Sequence, residues 1–396
     1  MCKGKWIIRK TDTMKKKSDK RNIVGFGLVS LANDIASEMI YPLLPIFLSS
    51  VLHASASAIG IIEGIAETTV SVLKYVVGSL SDRLGRRKPL FAAGYAISNI
   101  LRPLIGLSTH WIHVLFFRSA DRVGKGIRTA PRDAMLADSA ADADRGLAFG
   151  FQRAMDHLGA LAGPLIATVL IHAGCSIQQV FMISFIPGII TVVLVLTLIK
   201  ERSEKRIVSS KQAFAGAFTP RFSFFLFTLA IFTLGNSTDA FLLLNARDAG
   251  ISIALIPVLW TVLHLSKTLF SIPGGMLSDV IGRKPVIIAG WIVYSLVYLG
   301  FAYAGSVSAI WWLFFAYGLY FGLCEGVEKA FVADLVPDIL RGSAYGLYNL
   351  AIGISALPAS VLFGVVWDTF GRQYAFIMGA MFALSASVLL VFVKKQ

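Results

Sequence analysis

The sequence predicts an all-α, polytopic membrane protein of about twelve transmembrane helices in two six-helix bundles with pseudo-twofold symmetry. Three observations carry that expectation: an apolar composition, basic connections that recur at every second loop, and an internal repeat half a chain long. Of 396 residues, 56% are apolar and only 15% charged, against roughly 25% charged in a soluble domain. Mean hydropathy is +0.71. A water-soluble multidomain enzyme is excluded. The formal charge of +14 would suit nucleic acid, but the basic residues cluster between apolar runs, where they face a membrane surface. Nucleic acid is therefore not an expected partner; the lipid bilayer is. Cys2, Cys175 and Cys324 are too scattered for a disulfide framework or a zinc motif.

A helix needs about 20 mostly apolar residues to cross the hydrocarbon core. Such stretches fall near 23–48, 56–80, 89–108, 111–130, 146–172 and 177–199, then 222–245, 252–277, 286–304, 308–331, 343–366 and 374–393. A basic tail, 1–21, precedes the first and reads as a lipid-facing arm. A secretory signal over 1–57 is disfavoured, because the apolar run is too long and Asp34 and Glu38 interrupt it. Basic groups recur after the second span (Arg83, Arg86, Arg87, Lys88), the sixth (Lys200 to Lys211), the eighth (Arg283, Lys284) and the last (Lys394, Lys395). The alternate connections carry only Arg247 and Arg372. That asymmetry predicts both termini in the cytoplasm, as in a multi-pass protein of the cell (inner) membrane.

The repeat is visible twice. GSLSDRLGRRKP from Gly78 answers GMLSDVIGRKP from Gly275, with Asp82 and Asp279 standing 197 positions apart. RGLAFGF from Arg145 answers RGSAYGL from Arg341, 196 apart. Two features at one offset argue for parallel duplication. The expected units are an N-terminal bundle over 22–199, a cytoplasmic linker over 200–221, a C-terminal bundle over 222–393 and a short tail, 394–396.

On these residues the chain resembles the major facilitator superfamily (MFS) over nearly its whole length. The family's loop signature is matched at Gly78, Asp82, Arg83, Gly85, Arg86, Arg87 and Lys88; the second copy keeps Gly275, Asp279, Gly282, Arg283 and Lys284, with Val280 in place of the first arginine. Gly78 and Gly275 are expected to admit a neighbouring helix, and Gly85 and Gly282 to make a tight turn. A carboxylate favours the positive N-terminal end of a helix. Asp82 is therefore expected to meet the eleventh span near Gly342 and Ser343, and Asp279 the fifth near Gly146, as a conformational latch. Gly150, Gly159, Gly163 and Pro164 resemble a glycine pattern of the family's antiporters and read as helix-packing positions; Ala167 stands where a later glycine would be. The fourth span, RSADRVGKGIRTAPRDAML from Arg118, resembles a prokaryotic subgroup with a charged fourth helix. Gly124-Lys125 is no phosphate loop, since Gly126 replaces the required Ser or Thr.

A charge at mid-bilayer costs about 2.5–3.5 kcal/mol, so intramembrane charges must pair or line water. The candidates for proton coupling or a substrate cavity are Asp34, Glu38, Glu67, Arg118, Asp121, Arg153, Asp156, Asp239, His264 and Lys267. Asp34, Asp156, Arg118 and Asp121 lie at depths that suit one midplane site. No metal site is expected, since His157 and His264 lack a partner at ligand spacing. The resemblance implies a monomeric secondary transporter, not an enzyme, moving a small-molecule substrate by alternating access. It implies no cofactor, with a proton gradient as the energy source. The antiporter-like glycines favour export by proton exchange. Uptake of an anionic or zwitterionic metabolite by symport, and a non-transporting sensor on the same fold, are the alternatives.

Overall fold

The computed structural model describes residues 18–84, 87–141, 144–201, 219–337 and 340–393. Side chains at positions 75, 78–84, 145, 146 and 342 lie outside the description. The described residues contain helices and turns but no strand. The helices are α1 Lys20–Val51, α2 Ala56–Leu84, α3 Lys88–Leu107, α4 Trp111–Ser139, α5 Arg145–His172 and α6 Ile177–Leu198. The second set is α7 Pro220–Asp248, α8 Ile253–Ile281, α9 Arg283–Tyr303, α10 Val307–Leu335, α11 Arg341–Phe370 and α12 Arg372–Val391. All but α4 are long and apolar enough to cross a bilayer. The exception follows from the charges between Arg118 and Arg132.

Besides a turn at Ser184 in α6, two breaks stand at equivalent places in the halves. In α1 the α-helix ends at Glu38, and Pro42 and Pro45, which lack an N–H, lead into a 3₁₀ turn, one α turn and a π-helical end over Phe47–Val51. In α7 the break runs from Asn236 to Asp239, between Pro220–Gly235 and Ala240–Asp248. The breaks are half a chain apart, as the repeat requires. Packing repeats as well: α1 lies on α5 and α6, α3 on α4 and α6, and α2 on α4, while α7 lies on α11 and α12, α9 on α10 and α12, and α8 on α10.

Polar staples recur at the same offset. Arg87 pairs with Asp138 at 2.6 Å, and Arg283 with Asp334 at 3.8 Å, each tying the third helix of a half to the end of its fourth. Lys88 Nζ donates to the Leu196 carbonyl at 3.2 Å, and Lys284 Nζ to that of Val393 at 2.9 Å. Both lysines therefore cap the negative C-terminal end of the last helix in their half. Gly282 makes the expected turn, at φ +94°. Gly275 does not admit a helix: a Cβ there would meet nothing within 4 Å, and the close contact belongs to its neighbour Gly274, against Leu323 and Gly322 of α10. Asp279, largely exposed, pairs with Arg283 at the start of α9, while side chains 145 and 146, on the α5 side of its expected contact, lie outside the description. The Asp82 and Arg83 side chains and Gly78, Gly85 and Arg86 fall outside the description.

The halves meet along α2–α11 and α5–α8, with the segment Leu44–Ile46 of α1 touching the second part of α7. The face bearing the termini and basic loops is called the basic face below, and its opposite the far face. Contact between the halves is dense toward the far face. Ser57 lies beside Gly364, Gly60 beside Ser360 and Gly64 beside Leu357.

Candidate functional site

Between the halves lies a cavity of about 780 Å³. Its charged lining comes from α1 (Asp34, Glu38), α2 (Glu67), α4 (Lys125), α5 (Arg153, Asp156), α8 (Lys267) and α10 (Glu325, Lys329), with His157 and His264 beside them. Of the ten expected cavity residues, seven line it: Asp34, Glu38, Glu67, Arg153, Asp156, His264 and Lys267. Arg153 donates to Glu325 at 3.2 Å, bridging the halves toward the basic face.

One wall is built by a notch in α5. Cβ atoms built at Gly159 and Gly163 would lie 2.8 Å from the Asp34 Cβ and 3.0 Å from the Glu38 Cβ, and as close to the backbone of α1. The two glycines, four apart, thus seat the two carboxylates, also four apart. Asp156 sits one turn below Gly159, which brings it beside Asp34. Asn33 donates to Asp34 at 2.8 Å and Gln152 to Asp156 at 2.6 Å. Among the described residues, no cation stands within 4.0 Å of Asp34 or Asp156. Gly150 has no packing role, since nothing lies within 4 Å of a Cβ built there. Pro164 stands inside α5, where its missing N–H interrupts the hydrogen-bond ladder.

The deep end is closed by Trp260. Its Nε1 donates to Glu38 Oε2 at 2.9 Å, and its ring lies 5.0 Å from Tyr41. Lys267 Nζ lies 3.4 Å over the Phe321 ring and 5.6 Å from that of Trp260, a cation–π arrangement. Asp239, in the break of α7, stands 4.0 Å from Lys267 and accepts from Tyr317 at 2.9 Å. Asp239 therefore stands behind the cavity lining and reaches it through Lys267.

Arg118 and Asp121 are not in the cavity; both are buried inside the N-terminal half. Arg118 makes a bidentate pair with Glu63, both contacts at 2.9 Å. Asp121 accepts from Arg102 at 2.9 Å, with Arg122 at 3.6 Å and Arg118 at 3.8 Å. Arg102 also donates to Asn33 Oδ1 at 3.1 Å, one residue from Asp34. The structure divides α4, with Arg118 and Asp121 turned into the bundle and Lys125, one turn further, into the cavity. Arg102 was not among the expected cavity residues, although an arginine inside the apolar third span was the available signal.

Twelve helices among the described residues, in two repeated halves around a charged cavity closed at one end, are the architecture of a membrane transport protein. The chain belongs to the Major Facilitator Superfamily, whose profile matches residues 26–245 and again 222–396. An MFS-type transporter of Methanocaldococcus jannaschii is 35% identical over 383 residues, 94% of this chain and 95% of the relative. The multidrug resistance protein MdtG of Enterobacter lignolyticus is 22% identical over 391 residues, covering 93% and 91%. Among solved structures, the nucleoside transporter NupG shares the fold at a TM-score of 0.79 with 15% identity, over 94% of this chain and 98% of that one. A bacterial homologue of the human lysosomal transporter Spinster, inward-facing and unoccupied, matches at 0.73 with 16% identity over 95% and 96%. The protein is a multi-pass membrane transporter of the MFS kind.

Proposed function

We propose that this transporter is a proton-coupled antiporter that exports a small organic solute by alternating access, as a monomer in the cell (inner) membrane with both termini cytoplasmic. The observation that carries the reading is the Asp34–Asp156 pair, set side by side by Gly159 on an open cavity wall with no cation within ion-pair distance among the described residues. Two such carboxylates repel when both are ionised, and either a proton or a positively charged solute relieves that repulsion. A solute bearing positive charge competes for the same oxygens, and that competition is the elementary step of exchange. The basic loops support a cytoplasmic basic face, which makes this an inward-open state. A relative named for multidrug resistance is in keeping with export. Lys267 favours a second reading, uptake of an anionic or zwitterionic metabolite, because it offers an ammonium on the opposite wall.

The test begins by comparing the small molecules retained by cells with and without the protein, to find the solute. Its flux is then measured in proteoliposomes across an imposed proton gradient. Export coupling predicts solute movement against the proton flow, with Asp34→Asn and Asp156→Asn folding normally and retaining solute exchange but losing the proton-driven component. Movement with the protons would establish symport. Absence of any flux would leave the sensor alternative.

A further inference from the structure

Asp368 lies in the last turn of α11, the negative end of its own helix, where a carboxylate is electrostatically disfavoured. It reaches across to the other half instead. The Ala56 N–H donates to its Oδ1 at 3.0 Å and the Ser57 N–H to its Oδ2 at 2.8 Å, with the Ser57 hydroxyl donating to the same oxygen. Ser55 Oγ meanwhile accepts from the Ala58 N–H at 3.2 Å. Orphan N–H groups in the first turn of α2 are thus satisfied by a charge from the opposite bundle. The contact sits at the far face, on the seam that must part if the cavity is to open there.

The two helices run antiparallel in one continuous register. Gly364 lies beside Ala56 and Ser57, Ser360 beside Gly60, Leu357 beside Gly64 and Gly353 beside Ser71, while Thr68 donates to the Gly353 carbonyl at 2.6 Å.

We propose that Asp368 is a positioning residue for alternating access, a far-face latch that holds α11 to the N-terminus of α2. Its carboxylate caps the helix of the opposite half, and rocking the halves open at the far face breaks that cap. Asp368 touches no solute; it acts through α2 on which face is open. The inference rests on alternating access and on neither the solute nor the coupling ion, so its test needs no cargo.

The experiment reads the state directly. With the three native cysteines replaced, Leu107→Cys on the N-terminal half and Ser308→Cys on the C-terminal half, both exposed at the far face, carry spin labels in the full-length protein in nanodiscs. Distances are measured by double electron–electron resonance. Removing a charge from a helix N-terminus alters an equilibrium by about two- to five-fold. Asp368→Asn is expected to raise the ratio of far-open to far-closed molecules by that factor, and Ser57→Ala by less. An unchanged distribution in Asp368→Asn, with normal elution and unchanged distances between labels within one half, overturns the latch. Should Asp368→Asn not fold, Ser57→Ala decides by the same sign.

Discussion

Replacing Gly159 by alanine adds one methyl group to α5 where α1 leaves no room. The new Cβ would lie 2.7 Å from the Leu31 carbonyl oxygen, 2.8 Å from the Asp34 Cβ and 3.2 Å from the Ile35 nitrogen. Two of these are backbone atoms, which cannot swing aside, so α1 must retreat by roughly 0.6 Å to restore ordinary contact. That retreat would stretch the Gln152–Ser30 hydrogen bond, now 2.8 Å, toward the limit of useful geometry. Overpacking of this kind costs about 1–3 kcal/mol, and exchanging glycine for alanine inside a helix returns about 0.8–1.0. The net expectation is a loss between about 0 and 2 kcal/mol. Gly150→Ala is the internal control, because its Cβ meets nothing within 4 Å and only the favourable helix term remains. Thermal unfolding in detergent, followed by scanning fluorimetry, should rank Gly150→Ala at or above the parent and Gly159→Ala below it. On the antiport proposed above, proton-driven flux should fall only in the second, since its notch also sets Asp34 against Asp156. If Gly159→Ala unfolds no earlier than Gly150→Ala and transports as well, the cradle argument is wrong.

Two further outcomes follow from the buried charges and the loop staples. Asp121→Asn leaves the buried Arg102, Arg118 and Arg122 without their shared counter-charge; breaking such a cluster costs about 3–5 kcal/mol, so the yield of folded protein should collapse, whereas Asp34→Asn should purify normally. Arg87→Gln should lower the unfolding temperature more than Arg283→Gln, because the Arg87–Asp138 pair is shorter and more buried than its repeat-equivalent, and the exposed one should contribute less than about 1 kcal/mol; equal shifts would refute the ranking.

The spans, their number and the duplication were legible because bilayer thickness and the charge of the loops act directly on composition. The repeat offset even carried over to the partners of the signature's Arg87, Lys88, Arg283 and Lys284, which are Asp138, Leu196, Asp334 and Val393 and have no signature beyond their spacing. The helix breaks were half visible: Pro42 and Pro45 mark one, while Asn236 to Asp239 mark the other only by a run of small polar residues. Orientation around each helix was harder. Four residues turn an α-helix by little more than a full circle, so Glu63 and Glu67 share a stripe, yet one binds Arg118 and the other lines the cavity. Partners on distant helices decide which way each side chain faces, and one sequence carries no trace of them. Asp368 was overlooked because it lies outside the apolar core of its span. A carboxylate in the last turn of a helix, at the wrong end of the dipole, was the available signal.

The charged fourth helix then has a physical reason. Arg118, Asp121 and Arg122 spend their charge on Glu63 of α2, Arg102 of α3 and one another, so three neighbouring helices of the N-terminal half are bound by contacts that separate only at large cost. The seam between the halves is of another kind. It holds the Thr68 and Trp260 hydrogen bonds, the exposed Arg153–Glu325 bridge and the Asp368 cap, set among glycines that bring the backbones close. Lipid supplies little hydrophobic drive to reclose a parted helix pair. Packing and a few polar contacts therefore set the balance between open faces, and each is weak enough to break within a transport cycle. A rigid half and a labile seam are what rocking requires, and the distribution of charge between buried network and interface supplies both.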